Sequence, residues 1–62
     1  MPFIHVRLFK GRTVEQKRAF VEAATKEAVR TLACAADDVE VVFDEIEKSN
    51  WATAGRLHSD PK

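Results

Sequence analysis

The sequence predicts a small α+β fold in which a strand, a helix and a second strand form one βαβ unit. Three observations favour this fold. Side chains alternate along residues 3–9, apolar residues then recur with helical spacing, and a run rich in β-branched residues follows at 39–46. A connection that contains a helix returns parallel to the first strand with a right-handed crossover. With 62 residues, the chain is expected to be a single domain, residues 1–62.

The first predicted strand is Phe3–Phe9, and its two faces differ in character. One face carries three aliphatic side chains, whereas the other has a phenylalanine at each end with His5 and Arg7 between them. Such a mixed face with two exposed aromatics favours contact with another subunit.

A helix is expected to begin at Val14 and to end near Ala33. Thr13 is followed three residues later by Gln16, the spacing of a capping box, and Gly11 supplies a flexible turn just before it.

The segment Val39–Ile46 is expected to be the second strand because β-branched residues dominate it. Two strands leave open sheet edges, so pairing with the same unit of another subunit is expected. The tail, 47–62, mixes turn formers with a few apolar residues, and it is expected to be either a small hairpin or an arm laid across a neighbour.

The composition excludes several classes of function. Ten basic and ten acidic residues cancel, and no basic block interleaves with aromatics, so a nucleic-acid partner is not expected. No apolar stretch approaches the length of a membrane span, and we expect a soluble, cytoplasmic protein. Cys34 is the single cysteine, and the two histidines lack metal-site spacing. Association between subunits is therefore the expected means of stabilising so short a chain.

Taken together, three features resemble the 4-oxalocrotonate tautomerase family of the tautomerase superfamily. Pro2 follows the initiator methionine, Arg12 lies ten residues later in "KGRTVEQK", and Trp51 precedes small residues in "NWATAG". The resemblance covers the whole chain. It implies a βαβ protomer that pairs into a four-stranded sheet with the helices on one face, usually as a homohexamer of three dimers. It also implies an isomerase, free of cofactors and metals, that moves a proton within small enol or unsaturated keto acids.

The resemblance implies that Pro2 is the catalytic base once Met1 has been removed. Inside a chain, a proline nitrogen is an amide without a basic lone pair, but at a chain start it is a secondary amine. Free α-amino groups have a pKa of about 7.7–8.0. Apolar surroundings or a nearby cation would lower the pKa of the proline toward the value that a general base needs. The alternative is that Pro2 only begins an edge strand, where proline is tolerated.

The resemblance implies that three further residues contact the substrate. Arg12 corresponds to the family arginine that holds a substrate carboxylate, a task suited to a planar guanidinium. Trp51 aligns with the aromatic residue that walls the site, although simple interface packing is an alternative role, and Phe9 would add apolar surface. A related branch that dehalogenates or hydrates unsaturated acids has an arginine in place of Phe9 and a glutamate near Thr53, and both are missing here.

Glu40 departs from the family pattern, because the best-known members carry an arginine at this position. A carboxylate facing the pocket would repel a second substrate carboxylate and raise the pKa of the catalytic proline. Alternatively, Glu40 pairs with Arg7 or Arg56 of some subunit and lies away from the site. The substitution also leaves open a catalytically degenerate chain or one that needs a different partner chain. His5 and His58 have no identifiable partner in the sequence, so neither is expected to be catalytic.

Overall fold

The computed structural model describes residues 1–61 and has the strand, helix and strand order that the sequence predicts. The main elements are β1 (Phe3–Phe9), α1 (Val14–Leu32) and β2 (Glu40–Ile46). Single 3₁₀ turns at Ala36–Asp38 and Lys48–Asn50 flank β2, and the tail carries two short strands, β3 (Ala52–Thr53) and β4 (Arg56–Leu57).

The strands β1 and β2 pair in parallel, which confirms the βαβ unit. Their register runs from Phe3 opposite Glu40 to Phe9 opposite Ile46. The strand β2 begins one residue later than expected because the Val39 amide donates to the Ala36 carbonyl, at 3.1 Å, inside the preceding 3₁₀ turn.

Both ends of α1 follow from local chemistry. The Thr13 hydroxyl accepts from the Gln16 amide at 3.1 Å, and the Gln16 side chain accepts from the Thr13 amide at 2.9 Å, which confirms the capping box. The helix ends at Leu32, and Ala33 adopts the left-handed conformation at φ 56°. Within residues 1–61, no helix combines the length and apolar character needed to cross a membrane.

The tail forms a hairpin, which was one of the two expected alternatives. The strands β3 and β4 pair antiparallel, with Thr53 opposite Arg56. Between them, Ala54 and Gly55 both have positive φ, at 54° and 77°, the signature of a two-residue turn that matches the twist of a hairpin.

The helix covers one face of the sheet. The Phe20 ring packs edge-on against Phe43 at a centroid distance of 5.9 Å, and Lys17 Nζ lies 2.5 Å from Glu45 Oε1. The opposite face is uncovered in one protomer, and Phe3 is 53% exposed there.

One protomer buries little of its own surface. Ala28, at 6% exposure, is the one buried hydrophobic residue among residues 1–61. The radius of gyration is 15.0 Å, whereas a compact chain of this length would have about 11 Å. The fold is therefore a thin plate with little enclosed core.

Candidate active site

Pro2 lies immediately before β1 and extends its ladder by one bond. Its carbonyl accepts from the Glu40 amide at 3.0 Å, and the residue is partly buried. Because proline has no amide proton to donate, its nitrogen takes no part in the ladder. The backbone on the carbonyl side of Pro2 is thus held in place while the nitrogen is not.

Glu40 lies at the same end of the sheet, on the face that the helix leaves uncovered. It is opposite Phe3 in the register and is exposed. The two arginines considered as its partners are engaged elsewhere within the protomer. Arg7 Nε lies 3.7 Å from Asp44 Oδ2, and Arg56 Nη2 donates to the Pro61 carbonyl at 3.0 Å.

Phe9 and Trp51 contact each other at the opposite end of β1. Their ring centroids are 4.5 Å apart at an interplanar angle of 57°, and both residues are partly buried. The His58 ring lies 5.1 Å from Phe9 and 6.3 Å from Trp51, and we call these three residues the aromatic cluster. Lys48 Nζ lies 5.7 Å from the Phe9 ring centroid, a cation–π distance.

His58, which was not expected to be catalytic, lies among the candidate site residues in the structure. Its Nε2 lies 2.9 Å from the Thr53 hydroxyl, and its amide donates to the Trp51 carbonyl at 2.9 Å. Both contacts follow from the hairpin, which brings these residues together. Gly55 favours a turn, but alanine, the residue before it, does not. The sequence therefore indicates the turn too weakly to predict that β3 and β4 pair.

Two lysines lie at the Phe9 end of β1, and one of them is paired with a carboxylate. Lys10 Nζ lies 3.0 Å from Glu47 Oε1, and this hydrogen bond raises the pKa of Lys10. Together with Lys48, it places two ammonium groups at the Phe9 end of β1.

Arg12 follows β1 but lies on the helix side of the sheet. It lines a cavity of about 300 Å³ whose sheet wall includes Val6, Leu8 and Phe43. Arg12 is therefore near the aromatic cluster along the chain, yet it faces a different hollow.

The candidate residues fall into two groups at opposite ends of one strand. Pro2 and Glu40 lie where β1 begins, whereas the aromatic cluster and Arg12 lie where it ends. At roughly 3.3 Å per residue, the start and end of β1 are about 20 Å apart. A single protomer does not bring Pro2 into contact with Arg12 or Trp51.

Comparison with known proteins agrees with the fold and the sequence motifs. The family model described as "Tautomerase enzyme" matches residues 2–60. A 2-hydroxymuconate tautomerase of Bacillus subtilis is 37% identical over 60 residues, covering 97% of this chain and 97% of the relative.

Solved structures of 4-oxalocrotonate tautomerases and their homologues share this fold. A crystal structure of a 4-oxalocrotonate tautomerase homologue superposes with a TM-score of 0.92 at 34% identity, covering 98% of this chain and 100% of that one. A 4-oxalocrotonate tautomerase isozyme structure from Methylibium petroleiphilum gives 0.89 at 40% identity, covering 94% of this chain and 91% of that one. The chain belongs to the 4-oxalocrotonate tautomerase family and is an isomerase of the tautomerase class.

Proposed function

We propose that this enzyme is a keto-enol tautomerase that acts on small 2-hydroxydienoates and 2-oxo acids, with Pro2 as the general base after Met1 is removed. The observation that carries the proposal is the anchoring of Pro2. Its carbonyl is held by the Glu40 amide at 3.0 Å, so in a chain that starts at Pro2 the ring nitrogen would be a free amine next to an anchored backbone group. Relatives named 2-hydroxymuconate tautomerase support the same reaction class.

The proposed reaction needs only a proton carrier. The amine of Pro2 takes the hydroxyl proton of the enol, the oxygen becomes a carbonyl, and the double bonds shift along the diene. The protonated amine then delivers the proton to carbon, so that no atom is lost and nothing is oxidised or reduced. A general base of this kind accelerates a reaction by about 10²–10⁴-fold.

The other site residues have complementary roles in this proposal. The Arg12 guanidinium holds a substrate carboxylate, and its fork provides two parallel donors for that purpose. Phe9 and Trp51 exclude water from the reacting atoms. Apolar surroundings also disfavour the ammonium form of Pro2, which keeps more of it available as a base.

The proposed site requires more than one protomer. The sheet holds only β1 and β2 in the described chain, so each strand has an open edge. When two identical edge strands pair about a two-fold axis they run antiparallel, and the start of one lies beside the end of its partner. We therefore propose a four-stranded dimer sheet with both helices on one face, assembled as a hexamer of three dimers. The scarcity of buried residues in one protomer supports this assembly.

The first test combines mass spectrometry with an enzyme assay. We expect the intact mass to show loss of Met1, and the same sample to ketonise phenylenolpyruvate and 2-hydroxymuconate. Pro2→Ala should lower kcat about 100-fold, because after loss of Met1 the variant has a less basic, freely rotating primary amine in place of the proline nitrogen.

The matched control is a sample that retains Met1. It has the same side chains, but its Pro2 nitrogen is an amide, so it should be inactive. Full activity in the Met1-retaining sample would rule out Pro2 as the base.

The second candidate is a degenerate subunit, or one that completes its site with a different chain. Glu40 favours it, because a carboxylate stands where the family places a cation. Loss of Met1 without turnover of either substrate, in a homogeneous oligomer, would favour this candidate over the first.

A further inference from the structure

We propose that Glu40 forms an ion pair with Lys48 of the partner subunit, and that this pair offsets the negative charge of Glu40 beside the proposed base, Pro2. The inference rests on the proposed function, since it adds a residue of the second protomer to that site. Lys48 is then a positioning residue, which acts on Pro2 through Glu40 and does not need to touch the substrate. We call the contact the intersubunit pair.

Glu40 has no ion-pair partner within residues 1–61. It is exposed at the start of β2, on the sheet face that α1 leaves uncovered. The two basic side chains that β1 presents on this face contact Asp44 instead, because His5 Nε2 and Arg7 Nε each lie 3.7 Å from its Oδ2. In a single protomer, Glu40 is therefore a carboxylate without a neutralising cation.

Lys48 is the matching cation at the other end of the sheet. Its Nζ lies 5.7 Å from the Phe9 ring centroid, and Phe9 shares the uncovered face with Phe3 because the side chains of β1 alternate. Lys48 forms no ion pair within residues 1–61, whereas the neighbouring Lys10 is paired with Glu47 at 3.0 Å. An ammonium has three donors, so the contact with one ring leaves donors for a carboxylate.

Two-fold pairing of protomers brings these opposite charges together. Whether two β1 strands or two β2 strands pair, they run antiparallel, and the start of one lies beside the end of the other. The Glu40 end of one protomer then meets the Lys48 end of its partner, on the same uncovered face. When the β1 strands pair, Glu40 and Phe9 of the partner subunit are two inter-strand spacings apart, about 10 Å. The Glu40 and Lys48 side chains can span this gap, and symmetry forms the pair twice.

The intersubunit pair changes the electrostatics at Pro2. The Glu40 amide donates to the Pro2 carbonyl at 3.0 Å, and a carboxylate on this neighbour favours a protonated Pro2. An ammonium beside that carboxylate opposes the effect, so more of Pro2 is neutral at a given pH. The chain thus keeps an available base in spite of Glu40, and it does so only when two subunits are paired.

Charge exchange between two chains tests the contact directly. In a homodimer, Glu40→Lys brings two ammonium groups together at each contact, and Lys48→Glu brings two carboxylates together. A mixed dimer of the two variants restores opposite charges at both contacts. One chain is labelled with ¹⁵N, equal amounts are refolded together, and native mass spectrometry gives the composition of the oligomer. The equilibrium constant for mixed pairing should exceed the random value about tenfold, the size of two exposed charge contacts.

The matched control exchanges charges at exposed positions in the middle of α1. Glu22→Lys and Lys26→Glu change the net charge of each chain by the same amounts, and their mixture should have the random composition. If the Glu40→Lys and Lys48→Glu chains fold only when they are mixed, that result also supports the intersubunit pair.

A second measurement needs no mixed oligomer. It is a ¹⁵N titration of Pro2 in samples that lack Met1. Lys48→Gln should raise the pKa of Pro2, because the Glu40 carboxylate is then uncompensated, and adding Glu40→Gln should return it toward the wild-type value. Lys26→Gln is the control. Random composition of the charge-exchange mixture, or a Pro2 pKa that responds no more to Lys48→Gln than to Lys26→Gln, would overturn the proposal.

Failure of the intersubunit pair differs from failure of the proposed function. Turnover of phenylenolpyruvate by a chain whose charge-exchange mixture has the random composition would reject the pair and retain the tautomerase. Selective mixed pairing together with the expected titration, in a chain without turnover, would retain the pair and reject the catalytic role of Pro2.

Discussion

At the scale of single residues, one backbone hydrogen bond couples Pro2 to Glu40. The Glu40 amide holds the Pro2 carbonyl at 3.0 Å, so a carboxylate-bearing residue, opposite Phe3 in the register, is the hydrogen-bond neighbour of the residue proposed as the base. A negative charge near an amine stabilises the ammonium form and raises its pKa. With a raised pKa, more of Pro2 would be protonated at neutral pH and less of it would be available as a general base.

This coupling predicts the outcome of Glu40→Gln in a sample that lacks Met1. Removal of the negative charge should lower the pKa of Pro2, because the ammonium form loses a favourable neighbour. A ¹⁵N titration of Pro2 measures the shift. Glu22→Gln, at an exposed position in the middle of α1 and away from both ends of β1, is the control and should leave the titration unchanged. A Pro2 pKa that is the same in wild type and Glu40→Gln would mean that the Glu40 carboxylate points away from the amine.

At the scale of elements, the sequence predicted those parts whose signals are local. The capping box at Thr13 and Gln16 and the alternation in Phe3–Phe9 need only a few neighbouring residues, and both are confirmed. The hairpin stayed one of two alternatives, because strands of two residues are too short to show a period.

The candidate site was predictable only in part, because the proposed contacts between its two groups of residues require a second protomer. Pro2, Arg12 and Trp51 were identified from motifs, and their roles stay predictions. The contacts of His58 depend on the register of the hairpin. Ala54 is not a typical turn residue, so the sequence did not indicate where the hairpin turns. That Pro2 and Arg12 lie at opposite ends of β1 follows from strand length, but only once the strand is known to be straight and paired.

The junction between α1 and β2 predicts a stability effect. The Lys17 and Glu45 side chains are 23% and 29% exposed, so their ion pair is less screened than a surface pair. Lys17→Ala would leave Glu45 partly buried without its cation and should lower the free energy of unfolding by about 1–2 kcal/mol. Urea unfolding at fixed protein concentration measures the loss. Lys10→Ala breaks an exposed pair and should cost less, so an equal or larger loss there would contradict the argument.

The end of α1 predicts a gain in stability. Ala33 has a left-handed backbone at φ 56°, which costs a residue with a Cβ atom about 1 kcal/mol relative to glycine. Ala33→Gly should therefore raise the free energy of unfolding by about 0.5–1 kcal/mol. Ala35→Gly is the matched control, because φ is −79° there and the added freedom of the unfolded chain should destabilise the protein. Thermal unfolding of both variants tests the contrast, and a gain in both would refute it.

At the scale of the whole molecule, the separation of the two residue groups predicts complementation between inactive variants. Pro2→Ala and Arg12→Gln chains each lack one group, but a mixed dimer can combine the intact Pro2 of one chain with the intact Arg12 of the other. After co-refolding of equal amounts, about a quarter of the sites should be complete if subunits associate at random. The mixture should regain activity that neither variant has alone. No recovery, despite mixed oligomers in native mass spectra, would place both residues within one protomer's site.

The thin, plate-like shape of the protomer has a consequence for the cell. With Ala28 the one buried hydrophobic residue among residues 1–61, a single newly made protomer leaves most of its apolar surface exposed. In the proposed oligomer, assembly would be the last step of folding, and unassembled chains would present open strand edges and exposed phenylalanines to proteases and chaperones. Abundance would therefore rise more steeply than synthesis rate, since slow expression leaves more chains unassembled and subject to turnover.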